Sequence, residues 1–177
     1  MTNVTFQQCY IVLWYGFFCM HQVCTIKVAQ AVASSINANL YLHVGSHLGA
    51  VVHGQLMPWD DDVDMIMDFR QYEPFLETCG GEDGVEVHPA SGLRLKCTTG
   101  HNAVKVWLWQ EGMEKLTRAN VKWFSPFLDL FFYVVEDGKF WEVFPSGKKH
   151  QESYPLEEYF PTRPFSFGGE TTRANYN

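Results

Sequence analysis

A chain of 177 residues with 46% hydrophobic content is sized for one domain with a sizeable core. Its 20 acidic against 13 basic residues give a formal charge of -7, which excludes a whole-chain electrostatic trap for nucleic acid or an anionic membrane. Any phosphate-bearing ligand must then be held by local cations or by a metal.

Residues 9 to 20 form an uncharged aromatic run of about 12, short of the ~18 to 20 that a membrane span requires. The run reads as a core helix or strand; a signal-anchor remnant is the other reading, since it lacks the basic n-region and cleavage site of a secretory signal. Residues 1–26 are therefore set apart as an N-terminal apolar segment, and 27–177 as the main domain. Five cysteines (Cys9, Cys19, Cys24, Cys79, Cys97) are dispersed with no C-x-x-C pair. That pattern argues against a zinc ribbon or a disulfide scaffold and reads as ordinary buried or free thiols.

Val28, Ala31, Val32, Ser35 and Ile36 recur at helical spacing, which predicts a helix over Lys27 to Asn39. Leu40 to Val44 reads as a buried strand running into the turn Gly45-Ser46, and His47 to His53 as two helical turns stopped by Gly54. A strand followed by Gly-Ser at a helix start offers free backbone N–H groups to a phosphate.

Next comes Pro58-Trp59-Asp60-Asp61-Asp62-Val63-Asp64, with four carboxylates in five residues between apolar flanks. An extended chain would set Asp60, Asp62 and Asp64 on one side and Asp61 on the other. Neighbours on that side would be roughly 7 Å apart and repel by about 2.4 kcal/mol at a protein surface. A bound divalent cation reverses that sign.

Asp68 can cap a helix running through Tyr72 and Phe75 to Cys79. Strands are predicted over Val85–His88, Leu93–Cys97 and Ala103–Trp109, the last two joined by a turn at Gly100-His101-Asn102. In Phe127 to Val135 the only charge is Asp129. A lone Asp in a core strand is costly unless paired, hydrogen-bonded or on metal, so it is read either as a further metal-site carboxylate or as a satisfied structural Asp. A hairpin leads on to Phe140–Phe144, and a short helix is expected near Pro155 to Phe160.

Two carboxylates at i and i+2 on a strand, with a third on a neighbouring strand about 4.8 Å away, make a hard oxygen cage suited to Mg²⁺ or Mn²⁺. Such ions are completed by waters and substrate phosphates. Gly45, Ser46, Asp62 and Asp64 thus follow the general pattern of nucleotidyltransferase-fold sites.

The run Val44 to Asp64 resembles more closely the signature of the LicD/fukutin family, roughly G-T-L-L-G-A-x-R-H-G-x-h-I-P-W-D-D-D-h-D. Phe69 to Phe75, Phe127 to Phe131, Tyr159-Phe160-Pro161 and Phe165 to Gly169 resemble later segments of that family. The resemblance implies an α+β fold, a nucleotidyltransferase-like mixed sheet with flanking helices. It also implies a transferase that moves a phospho-alcohol, such as choline phosphate or ribitol phosphate, from a CDP-linked donor to a hydroxyl of a glycan or glycoprotein acceptor. Asp60, Asp62, Asp64 and Asp129 would hold Mg²⁺ or Mn²⁺, and Gly45 and Ser46 would face the donor phosphates.

His53 matches the motif, in a supporting rather than a catalytic role. Lys105, Arg94 and Lys96 are candidates for phosphate contact, against the plainer reading of solvated charges. His47 and Val52 depart from the pattern, Val52 standing where an Arg is typical. The family generally continues beyond the point corresponding to Asn177, so a minimal domain or an incomplete end with weakened activity is expected. Nucleic acid is excluded as a partner; membrane association is left open, and eukaryotic members imply the secretory pathway. Two alternatives stay open: a nucleotidyltransferase using an NTP, and a catalytically silent metal- or nucleotide-binding module.

Overall fold

The computed structural model describes residues 17–57, 59–60, 62–81, 83–88, 92–109, 111, 127–167 and 170–175. Residues 9–16 of the apolar run, Asp61, Gly168 and Gly169 lie outside the described residues. The fold is α+β: among the described residues, a mixed ten-stranded sheet with four helices.

Helix α1 spans Phe17–Ser35 and runs through the expected 26/27 boundary, with Ile26, Val28, Ala29 and Ala33 buried. It starts earlier than the periodicity of residues 27–39 indicated. It ends where Asn37 takes a left-handed conformation (φ 57°) and the Ala38 N–H donates to Ala33 O at 2.8 Å, the helix-closing geometry that Asn tolerates. Strand β1 is only Tyr41–Leu42, because His43 already caps helix α2, Val44–His53. Gly54 closes α2 in the left-handed region, its N–H donating to Ala50 O.

Strand β2 is Asp62–Asp68. Asp68 caps the 3-10 turn Phe69–Gln71, accepting from the Arg70 N–H, and α3 follows over Tyr72–Cys79. Strands β3 (Val85–His88), β4 (Leu93–Thr99) and β5 (Val104–Trp109) form an antiparallel meander. Strand β6, Phe127–Glu136, pairs with β5 antiparallel and with β2 parallel. Asp137 and Gly138, both at positive φ, make the two-residue turn to β7, Lys139–Val143. Strand β8 (Lys149–Pro155), helix α4 (Leu156–Tyr159), β9 (Thr162–Phe167) and β10 (Glu170–Asn175) complete the chain. The sheet order is β3-β4-β5-β6-β2-β1-β10-β9, with β7 and β8 continuing from β6.

Alternation divides the two faces of the central strands. Val63, Met65 and Met67 of β2 and Leu128, Leu130 and Phe132 of β6 are buried in one cluster with α1 and α3. The opposite face carries Asp62 and Asp64 from β2 and Asp129 from β6. Burying one side chain of the core type is worth about 1.5–3 kcal/mol, so this half of the alternation holds the sheet and leaves the other half free for chemistry.

The cysteine expectation needs correction. Cys79 at the end of α3 and Cys97 in β4 are disulfide-bonded, with Cα atoms 6.3 Å apart, and Cys24 is disulfide-bonded as well. An 18-residue separation carries no local signature; packing of α3 onto β4 brings the pair together. Among the described residues no helix is long and apolar enough to cross a membrane.

Candidate active site

The site forms where α2 begins. Asp62 and Asp64 alternate outward on β2, but Asp60 precedes the strand and reaches them by another route. After Gly54 the chain turns back along α2 and lies on the helix face that carries Gly45 and Gly49, one turn apart. A Cβ at Gly49 would stand 2.7 Å from Gln55 O and 3.0 Å from Met57 N, so only glycine lets the returning backbone lie this close. At Gly45 a Cβ would stand 3.0 Å from an Asp60 oxygen and 3.3 Å from an Asp64 oxygen. The two glycines thus deliver Asp60 to the cluster. One oxygen each of Asp60, Asp62 and Asp64 lies within 4.8 Å of the others.

Ser46 is fully buried, and its Oγ accepts the Asp64 N–H at 2.9 Å. The His43 N–H donates to Asp64 O at 3.1 Å, which fixes the other side of the same residue. Val44, between them, sits at φ 29°, a region β-branched residues rarely adopt and which costs on the order of 1–3 kcal/mol. The hydroxyl of Ser46 therefore supports β2 from below, and the residue closest to the carboxylate oxygens on α2 is Gly45.

Electrostatics reflect the crowding. Burial raises the Asp62 carboxyl to about 7, reinforced by the charges of Asp64, Asp60 and Asp129 and by a hydrogen bond with Asp60. Burial also raises Asp64 to about 6, with Asp129 and Asp60 adding, while His43 and the Gly45 N–H act in the opposite direction. Both groups hold protons near neutrality that an ordinary carboxylate has lost. A divalent cation is the natural replacement for those protons, and an all-carboxylate donor set with a glycine at its back fits Mg²⁺ or Mn²⁺.

Asp129 is the Cα partner of Asp64 across β2 and β6, and the partner of Lys105 across β5 and β6. Lys105 Nζ donates to both of its oxygens, at 2.8 and 2.9 Å, and lies 3.9 Å from the centre of the Phe127 ring. Burial raises the Asp129 carboxyl, and Lys105 opposes that shift. The one charge within Phe127–Val135 is thus satisfied by an ion pair while flanking the cluster.

Other expected residues lie elsewhere. His53 is exposed in the last turn of α2, about 12 Å along the helix axis from Gly45. Arg94 donates to the carbonyls of Asp83 and Gly84, and Lys96 lies 4.1 Å over the Trp109 ring. Two residues were missed. Glu142 and His43 meet on the site face, Nε2 to Oε1 at 3.2 Å. Glu142 is the sole charge in Phe140-Trp141-Glu142-Val143-Phe144, the same signal that singled out Asp129.

Comparison with known proteins agrees with this geometry. A family model described as LicD/FKTN/FKRP, nucleotidyltransferase domain, matches residues 37–177. Among curated proteins, none matches the chain.

Proposed function

The chain belongs to the LicD/FKTN/FKRP nucleotidyltransferase-domain family, a family generally of transferases using nucleotide-linked donors, and from that premise we propose a metal-dependent phosphotransferase. In this reading it moves a phospho-alcohol, of the choline phosphate or ribitol phosphate type, from a CDP-linked donor to a glycan hydroxyl. The observation that carries it is the convergence of Asp60, Asp62 and Asp64 at the start of α2.

Asp60, Asp62 and Asp64 would hold Mg²⁺ or Mn²⁺, with Asp129 next in line on β6. When bound, the ion neutralises the donor diphosphate, polarises the attacked phosphorus and stabilises the departing CMP. The protein's own part is positional. Gly45 leaves the space above the carboxylates free of a side chain, Ser46 and His43 hold the Asp64 backbone, and Gly49 holds the loop that ends in Asp60. Lys105 supplies a cation beside the cluster, placed to be shared between Asp129 and a donor phosphate. The described part of α1 packs into the core, so the catalytic unit in this reading includes it together with residues 27–177.

Incubation with CDP-ribitol, CDP-choline or an NTP, each with Mg²⁺ or Mn²⁺, tests the proposal. CMP release that depends on the metal and is lost in Asp62→Asn is the expected result. Pyrophosphate release from an NTP would instead favour nucleotidyl transfer. If calorimetry with Mn²⁺ and CDP gives no heat and no thermal shift, the enzyme reading fails.

A further inference from the structure

The sheet face that carries the acid cluster holds a second group of side chains which the metal chemistry leaves unused. Glu142 stands opposite Tyr133 in the β6–β7 register, and Tyr133 alternates with Phe131 and Asp129, so Glu142 shares their face. Its carboxylate is approached from two sides: His43 Nε2 lies 3.2 Å from one oxygen and His150 Nδ1 3.8 Å from the other. Burial opposes its ionisation, and the contact with His43 and the charges of both histidines outweigh that and hold it below the usual value. Because the His43 N–H also donates to Asp64 O, this group is tied directly to the strand that carries the cluster.

Beside Glu142 opens a cavity of about 230 Å³, lined by Glu142, His150, Gln151, Glu152 and Tyr154. Each lining side chain has a hydrogen-bonding group, and none is a Lys or Arg. Two carboxylates in so small a wall repel an anionic diphosphate, which excludes the nucleotide donor from this cavity. A neutral polyol meets the same wall favourably. Carboxylates accept its hydroxyl protons, the Gln151 amide both donates and accepts, and the Tyr154 ring offers an apolar surface to carbon-bound hydrogens. The volume falls below the roughly 300 Å³ at which drug-sized pockets begin, which leaves room for a single sugar ring.

We propose that this cavity is the acceptor subsite, binding one neutral sugar or sugar-alcohol ring on the sheet face that also carries the acid cluster. The assignment rests on the transferase reading above, which named an acceptor without a place for it. Saturation-transfer-difference NMR tests it on the full chain without donor or metal, using ribitol and a set of methyl glycosides as probes and choline as a control. The wild type is expected to give signals for at least one probe, weakened several-fold in Gln151→Ala and in His150→Ala and retained in Asp64→Asn. Gln151 is exposed, so its variant reads binding without disturbing the fold, and thermal melts check both. Absent wild-type signals, signals unchanged in Gln151→Ala and His150→Ala, or a response confined to choline would each overturn the subsite. Because no metal is present, such a failure leaves the Mn²⁺ titration standing, and a failed titration leaves this result standing.

Discussion

Divalent-ion affinity should fall steeply as pH drops from 8 to 5, and the size of the fall follows from the two raised carboxyls. An ion entering the cluster must displace whatever protons Asp62 and Asp64 hold, with values of about 7 and about 6. Multiplying the two protonation factors gives a loss on the order of 10³ in affinity across that range, or about 4 kcal/mol, of which only about twofold falls between pH 8 and 7. Ordinary carboxylates would change by well under twofold over the same interval. Calorimetric titration with Mn²⁺ at unit steps of pH, in buffers of different ionisation heat, reads both affinity and proton release. About 1.4 protons should leave per ion at pH 6 and about 0.1 at pH 8. An affinity that is flat down to pH 5, with no protons released, would refute the crowded-carboxylate account. The ion-free protein should show the opposite trend in stability. Both folded-state values lie above the ordinary 3.8, so the stabilising contribution of these groups is complete below that pH and is lost as pH rises through 6 to 7. Saturating Mn²⁺ should restore the melting temperature at pH 8.

Four substitutions extend the test. Asp64→Asn removes one of three charges whose oxygens lie within 4.8 Å, and at an effective dielectric near 20 each pair repels by about 3 kcal/mol. Denaturant unfolding at pH 8 without metal should therefore show a gain of up to about 3 kcal/mol, while the heat of Mn²⁺ binding disappears. Gly49→Ala must push the returning backbone away, at a cost of about 1–3 kcal/mol, and should weaken Mn²⁺ binding about tenfold by displacing Asp60. Gly54→Ala, with a strained φ but open space around it, should cost about 1 kcal/mol and leave Mn²⁺ affinity unchanged, so equal metal affinities for these two variants would contradict the loop's role. Lys105→Met leaves Asp129 half-buried without its bidentate partner and should destabilise the metal-free protein by about 2–4 kcal/mol in urea titration, partly relieved by Mn²⁺ if Asp129 can turn to the ion.

Much of this site could be read from local pattern. The alternation of Asp62, Val63, Asp64 and Met65 predicts a strand with one charged and one buried face, and β2 has both. Gly54 stops α2 as its composition predicted, and the hairpins at residues 100–102 and 137–138 lie where turn residues placed them. What escaped is what depends on distant packing. Asp60 was expected to be extended with its neighbours, whereas it arrives on a loop folded against α2. Ser46 was expected to face phosphate, whereas burial of one side of α2 turns its hydroxyl under Asp64. The isolated charge of β6 correctly demanded a partner, yet pairing with β5 had to place Lys105 opposite before that partner could be named. The contact of His43 with Glu142 joins the cap of α2 to β7 and leaves no trace in spacing.

The alternation in β2 also protects the fold from its own ambiguity. Parallel pairing with β6 matches Val63 to Leu128 and Met65 to Leu130, and a slip of one residue would match apolar partners nearly as well by hydrogen bonding alone. Such a slip would turn Asp62 and Asp64 into the apolar layer beneath α1 and lift Val63 and Met65 into water. Two unpaired carboxyls in that layer, even neutralised by protons, would cost an amount comparable to the whole marginal stability of a domain this size. The acid cluster is therefore also a registration mark, specifying how β2 is seated before any ion or substrate has met it.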